Sequence, residues 1–286
     1  MLDLKESPHQ RKNPLTGTYV LVSPHRMKRP WQGKIHSIQK KEKVSYDPSC
    51  YLCPQNKRVG GETNPDYKGP FVFKNDHSAL LEETPEVKSS HPLLKAQKVT
   101  GTCRVFCFSE DHQKTLKQMK TDELAFVFKK LGKEVFELSH SYPWVQFFEN
   151  RGELMGCSNP HPHGQLWAVS EVPKKVLTMD HRQEVYWKEN KSCLLLDYAE
   201  LEVKEERRII YQNKDWLVLV PWWAEWPYQT MVLPRFKVNQ LYELKEIKRQ
   251  SLALAFKKLL SCYDNLFSCN FPYSMGWFGA PLNQEK

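Results

Sequence analysis

No apolar run in the 286 residues approaches the roughly 20 needed to cross a bilayer, so a helical membrane protein is not expected. The opening Met1-Leu2-Asp3-Leu4-Lys5-Glu6 lacks the apolar core of a secretory signal. Both absences point to a cytoplasmic protein. There the eight cysteines are expected to stay reduced and to serve metal ligation or packing rather than disulfides. A long basic block is also missing. The net charge of +9 is scattered over pairs such as Lys40-Lys41, Lys129-Lys130, Lys174-Lys175 and Lys257-Lys258, and solvated helix faces account for most of it. Such a field still draws an anion towards a cleft, although charge alone does not choose between a small phosphate and nucleic acid. Hydrophobic content of 40% with nine tryptophans excludes a disordered chain. The length suits one large domain or two ordinary ones.

Histidine is unevenly placed: none occurs after His181. The densest site is Gly156-Cys157-Ser158-Asn159-Pro160-His161-Pro162-His163-Gly164-Gln165. In extended backbone side chains alternate faces, which sets His161, His163 and Gln165 on one side. Proline fixes φ and removes a donor, so the pair of prolines suits the start of a strand. A neutral imidazole can attack an electrophile or bind a metal at neutral pH. Glycine permits close approach of a ligand, and the small polar neighbours can donate to phosphate oxygens. The alternative is two solvent-facing histidines in a proline-rich turn; the ten-residue context weighs against it.

Along the chain, Asn13-Pro14-Leu15-Thr16-Gly17 signals a turn before a strand at 18–22. Arg26 and Arg29, bracketed by Pro24 and Pro30, lie on a constrained loop where forked guanidinium groups suit phosphate, with plain surface solubility as the competing reading. A polar linker is expected over 36–48. Cys50-Tyr51-Leu52-Cys53 has the spacing of a zinc knuckle, half of a tetrahedral site. The paired histidines of a zinc finger do not follow it, so the other ligands must come from far along the chain. Strands are expected at 71–73, 104–108, 144–148, 165–169, 208–211, 216–221 and 230–234. Thr121 is the expected cap of a helix whose apolar residues (Leu124, Val127, Leu131, Val135, Leu138) recur every three or four positions. A second long helix carries Leu252, Ala255, Leu259, Tyr263 and Leu266. Phe-Lys-Lys-Leu occurs in both helices, at Phe128 and Phe256, a weak internal repeat that suggests two related α+β halves. The run Trp222-Trp223-Ala224-Glu225-Trp226 is expected to pack rather than to bind a cofactor.

These blocks, with Val22-Ser23-Pro24-His25-Arg26, Arg29-Pro30-Trp31-Gln32-Gly33, Tyr142-Pro143-Trp144-Val145-Gln146 and Phe271 through Trp277, make the chain resemble the galactose-1-phosphate uridylyltransferases, a two-fold repeated branch of the histidine-triad superfamily. The resemblance runs from about Asn13 to the end. It implies an α+β fold of two histidine-triad-like halves, each an antiparallel sheet with packed helices. Residues 1–173 would carry the nucleophile and zinc site, and residues 174–286 a second half incomplete at its end. It further implies ping-pong exchange of uridylyl between UDP-glucose and galactose 1-phosphate, with His163 as nucleophile and Gln165 bonded to the phosphoryl oxygens. Gly156, Cys157 and Ser158 would line the phosphate pocket, and Val59, Asn75, Asp76 and Asn150 would hold uridine and ribose. Arg26 and Arg29 would reach a partner subunit's ligand, which implies a homodimer and no nucleic-acid or membrane partner. Cys50, Cys53, His112 and His161 are the implied ligands of a structural Zn2+.

Two departures follow from the same resemblance. Relatives often hold iron through a glutamate and three histidines, whereas Met179 and Phe278 stand at two of those positions here, so no iron site is expected. The chain also stops at Lys286, ahead of the remaining two histidines and of the tail that contacts the hexose. Three other readings therefore stay open: a related nucleotide phosphorylase or adenylyltransferase, a half-active enzyme, and a non-catalytic nucleotide-binding partner of a longer subunit.

Overall fold

The computed structural model of the protein describes residues 4–30 and 44–282. Trp31-Gln32-Gly33 and most of the expected linker at 36–48 lie outside the described residues. In chain order the elements are β1 (His9–Lys12), β2 (Tyr19–Val22), β3 (Phe71–Lys74), β4 (Gly101–Cys107), α1 (Thr121–Ser139), β5 (Trp144–Arg151) and β6 (His163–Val169). They continue with α2 (Lys174–Asn190), α3 (Leu194–Glu205), β7 (Ile209–Gln212), β8 (Trp216–Leu219), β9 (Met231–Pro234), α4 (Glu246–Leu266) and β10 (Tyr273–Trp277). Thr121 is the first helical residue rather than the cap. Lys120 takes the cap position instead, and its N–H is satisfied by the Glu123 carboxylate at 2.8 Å.

Backbone packing divides the chain into two compact units, one of residues 1–41 and 174–237, the other of 42–173 and 238–286. In the first unit β1 and β2 form an antiparallel pair across a turn in which the Asn13 side chain accepts the Leu15 N–H at 3.0 Å. The order β7-β8-β9 makes a three-stranded antiparallel sheet, and Leu217, Leu219 and Leu233 bury against Ala199 of α3. Trp223 is buried with Leu15 and Leu194, as expected of a packing aromatic, while Trp226 is exposed.

The second unit is built on one antiparallel sheet of order β10-β5-β6-β4-β3. Side chains alternate across it, so the two faces have separate occupants. One face takes α1 and α4. Arg104 of β4 pairs with Glu134 of α1, and Trp277 of β10 lies 5.3 Å from Phe128 and 5.5 Å from Phe256. Phe128 and Phe256, the two phenylalanines of the repeated Phe-Lys-Lys-Leu, meet edge to face at 5.4 Å. Burial of each such side chain contributes about 1.5–3 kcal/mol, which holds the helical layer to the sheet. The opposite face carries Val105, Cys107, Phe71 and Phe73 packed with Cys50, Leu52, Cys53 and Tyr67. The register sets His163 opposite Cys107 and Gln165 opposite both Val105 and Phe148, so His163 and Gln165 project from this second face.

Candidate active site and metal centre

The Cys50–Cys53 knuckle lies against the sheet face that bears His163. Asn64 ties the knuckle's backbone by donating to Tyr51 O and Cys53 O, and the Tyr67 hydroxyl donates to Leu52 O at 2.6 Å. His112 follows β4, and His161 lies two residues before β6. The topology therefore delivers two distant imidazoles to one pair of thiols. Cys50, Cys53, His112 and His161 are all buried, and one ligand atom from each falls within 4.8 Å of the others. Cys53 Sγ stands 3.4 Å from His112 Nδ1 and 3.5 Å from His161 Nδ1, and Cys50 Sγ stands 3.9 Å from His161 Nδ1. A tetrahedral ion with metal–sulfur bonds of about 2.3 Å and metal–nitrogen bonds of about 2.0 Å separates sulfur from nitrogen by about 3.5 Å. The donor set therefore fits one tetrahedral metal ion.

The surroundings hold those donors in ligating form. His161 Nε2 donates to the Ser109 carbonyl at 2.9 Å, which leaves Nδ1 as the lone pair facing the sulfurs. Asn159 Oδ1 accepts the His161 N–H at 2.9 Å, so its Nδ2 is turned to Cys50 Sγ at 3.6 Å. The Leu52 N–H also points at Cys50 Sγ, at 3.4 Å. Without a cation, burial pushes the Cys53 thiol up and brings the His161 imidazole down to about 4. A thiolate at Cys53 calls for a bound cation. Asn159 lies inside the histidine motif, yet its support of both ligands was not read from the sequence.

His163 opens β6. Its Nδ1 donates to the His161 carbonyl at 2.8 Å, which fixes the tautomer with Nε2 unprotonated and free. Burial lowers its pKa, and the bond to the His161 carbonyl opposes that shift without cancelling it. The ring is therefore neutral near pH 7. Gly164 beside it is sterically required: a Cβ there would come within 2.5 Å of the Phe147 ring and 2.8 Å of the Phe148 carbonyl. Two donors converge on Gln165 Oε1, Trp167 Nε1 at 3.0 Å and Asn75 Nδ2 at 3.5 Å. They orient the amide and leave its NH2 available for an acceptor.

The other sequence-selected residues divide between the two units. Asn75 and Asp76 follow β3, and Asp76 Oδ2 accepts the Gly60 N–H at 3.1 Å, next to the exposed Val59. Asn150 is on β5, its Oδ1 bonded to the Ser274 hydroxyl of β10 at 2.6 Å. Gly156, with φ of 79°, Cys157 and Ser158 form the loop that enters the histidine motif, and the Cys157 thiol donates to Asn159 O at 3.1 Å. Arg26 and Arg29 belong to the first unit. Arg26 lies within a 3-10 turn, Pro24–Lys28, that Arg29 terminates, and both side chains are exposed. The strand β10 buttresses β5, and no periodicity announced it.

One carboxylate lies off the site, on the helical face. Glu149 is buried and accepts the Tyr273 hydroxyl at 2.9 Å. Burial raises its pKa to about 7, against the opposing influence of Tyr273 and Arg151. The unfolded value is near 4.5, so the contribution is intact below pH 4.5 and is lost as pH rises through 7. The loss is on the order of 3 kcal/mol at most. Denaturant unfolding of wild type and Glu149→Gln between pH 5 and 8 should show a stability difference that moves in the mutant's favour as pH rises. A constant difference would place the ionised carboxylate in a solvated setting.

Family models for galactose-1-phosphate uridyl transferase match the chain twice, the N-terminal domain over residues 1–173 and the C-terminal domain over residues 179–286. The galactose-1-phosphate uridylyltransferase of Haemophilus influenzae is 50% identical over 281 residues, covering 98% of this chain and 80% of that protein. The enzyme of the same name from Rattus norvegicus is 45% identical, covering 97% of this chain and 73% of its own length. A solved structure described as a uridylyltransferase superposes with a TM-score of 0.74 at 27% identity, over 96% of this chain and 82% of that one. Among the described residues no helix is long and apolar enough to cross a membrane.

Proposed function

This chain belongs to the galactose-1-phosphate uridylyltransferase family, and on that premise we propose that it moves a uridylyl group from UDP-glucose to galactose 1-phosphate through His163. The observation that carries the residue assignment is the bond from His163 Nδ1 to the His161 carbonyl, which leaves Nε2 as the reacting atom. In the first half-reaction Nε2 attacks the α-phosphorus. The bond from that phosphorus to the bridging oxygen breaks, and glucose 1-phosphate leaves with the electron pair. The resulting uridylylated ring is cationic, and the His161 carbonyl stabilises it by accepting the Nδ1 proton's hydrogen bond. In the second half-reaction a phosphate oxygen of galactose 1-phosphate attacks the same phosphorus and returns His163 to its neutral form.

The Gln165 NH2 donates to a non-bridging oxygen where charge concentrates at each displacement. Gly156, Cys157 and Ser158 line the diphosphate, while Val59, Asn75, Asp76 and Asn150 hold the uridine and ribose. Arg26 and Arg29 serve the ligand of a second copy of the chain, so the working form is a homodimer in the cytoplasm. We assign Zn2+ to Cys50, Cys53, His112 and His161. Four protein ligands complete its coordination, so it would anchor the segment that precedes His163 rather than activate water. No iron enters this reading, because Met179 packs against the apolar cluster of Leu15, Leu194 and Trp223.

Intact-mass measurement after incubation with UDP-glucose tests the proposal. The protein should gain one uridylyl group, and galactose 1-phosphate should remove it. A gain from ADP-glucose but not from UDP-glucose would move the chain to an adenylyl-transferring relative, and a gain from neither would leave it a binding protein.

A further inference from the structure

Arg58 is unusual among the described arginines because its side chain is only 7% exposed and its Nε, fully buried, has no hydrogen-bond partner. It sits in a tight turn at 57–63. Lys57 bridges Thr63, the Arg58 N–H donates to Glu62 O at 2.7 Å, and the Gly61 N–H donates to Arg58 O at 3.0 Å. The guanidinium turns inward beneath this turn. One Nη pairs with the Glu62 carboxylate, and the guanidinium carbon lies 4.4 Å from the centre of the Phe73 ring. Phe73, Val105 and Gln165 form one cross-strand row on the face that bears His163. Three residues beyond Phe73 comes Asp76, whose Oδ2 is 3.8 Å from the unsatisfied Arg58 Nε.

The other side of Asp76 is closed by Gly60. The Gly60 N–H binds the same Oδ2 at 3.1 Å, and a Cβ on Gly60 would lie 2.9 Å from Asp76 Cγ and from Oδ1. The carboxylate is thus held between a buried cation and a backbone amide that only glycine permits at this approach. Each acts on a carboxylate beside the exposed tip residue Val59.

From this geometry we infer that Arg58 is a positioning residue for the nucleoside: it aims the Asp76 carboxylate at the vicinal diol of a ribose and locks the Val59 turn to the end of β3. The inference rests on the uridylyl-transfer reading above. A carboxylate accepting two hydroxyls must be held in place; the Gly60 N–H fixes one oxygen, and the buried, rigid guanidinium 3.8 Å away attracts the group to that position. Lysine, a point charge on a flexible stem, does so poorly.

The test compares wild type, Arg58→Met, Arg58→Lys and Gly60→Ala, using UDP-glucose and its 2′-deoxyuridine analogue. With UDP-glucose, Arg58→Met should raise KM about tenfold while kcat changes less than about twofold, the pattern of lost ground-state positioning. The penalty should shrink to about twofold or less with the deoxy analogue, which lacks one hydroxyl of the diol. Arg58→Lys should fall between wild type and Arg58→Met. Gly60→Ala, which displaces the carboxylate without touching the arginine, should show the same substrate dependence. Equal penalties on both substrates in Arg58→Met and Gly60→Ala would reduce Arg58 to a support of the fold and overturn the inference. If Arg58→Met does not fold, Arg58→Lys decides by the same comparison, equal penalties on both substrates again overturning the inference. Failure of wild type itself to take uridylyl from UDP-glucose would instead remove the underlying function.

Discussion

Alanine at position 163 should abolish uridylyl incorporation from UDP-glucose, with a loss in turnover of about 10⁴-fold or more, the scale seen when a covalent nucleophile is removed. UDP-glucose should still bind within a few-fold of wild type, because the contacts proposed for it come from Gln165, Asn75, Asp76 and Asn150 rather than from the attacking nitrogen. Intact-mass labelling read alongside equilibrium binding separates these two effects. The pH profile of labelling adds a second check. Burial lowers the pKa of His163, so its neutral, nucleophilic form persists to more acidic pH than a free imidazole allows. Labelling should stay level down through the usual imidazole value of about 6.5 and fall only below it. Undiminished labelling in the alanine variant would take His163 out of the role, and a decline centred above 6.5 would contradict the buried, neutral ring.

The second large effect concerns the Cys2His2 centre. Cys53→Ser or His161→Ala should lose the bound ion and lower the unfolding transition together with activity. The coordination energy of a structural zinc, about 10–16 kcal/mol in small zinc peptides, appears as folding energy. Asn159→Ala should have a graded consequence, about 10–100-fold weaker metal binding, because it removes the amide that faces Cys50 Sγ and the carbonyl that orients His161. Elemental analysis should find one zinc per wild-type chain, and chelation should cost stability and activity at the same pace. An ion-free protein with an unchanged unfolding transition would show the four ligands to be packing residues. Loss of activity with the fold intact would make the ion catalytic.

These two effects are connected through one short segment. His161 turns its Nδ1 to the Cys53 sulfur, its Nε2 proton to Ser109 and its carbonyl to His163. The residue proposed to anchor the metal also sets the tautomer of the proposed nucleophile. A disturbance of the knuckle would reach the reacting nitrogen through two residues of backbone, without crossing the sheet.

The local features were legible in the sequence because their causes are local. Period-two spacing placed His163 and Gln165 on one face, three-and-four spacing placed the buried face of α1, and Cys50-Tyr51-Leu52-Cys53 declared half a metal site. The other half, His112 and His161, has no spacing rule that ties it to the knuckle; it came from resemblance, and the antiparallel register of β4 and β6 brings the pieces together. Only the tertiary structure recruited Tyr273–Trp277 as the edge strand that buttresses β5. It likewise turned Asn159 towards a sulfur and slid Arg58 beneath the turn beside Asp76. In each case the partner is remote along the chain, and only folding brings the pair within bonding distance. Short-range periodicity follows from backbone geometry, whereas the aim of a polar side chain depends on which distant donor or acceptor burial leaves it.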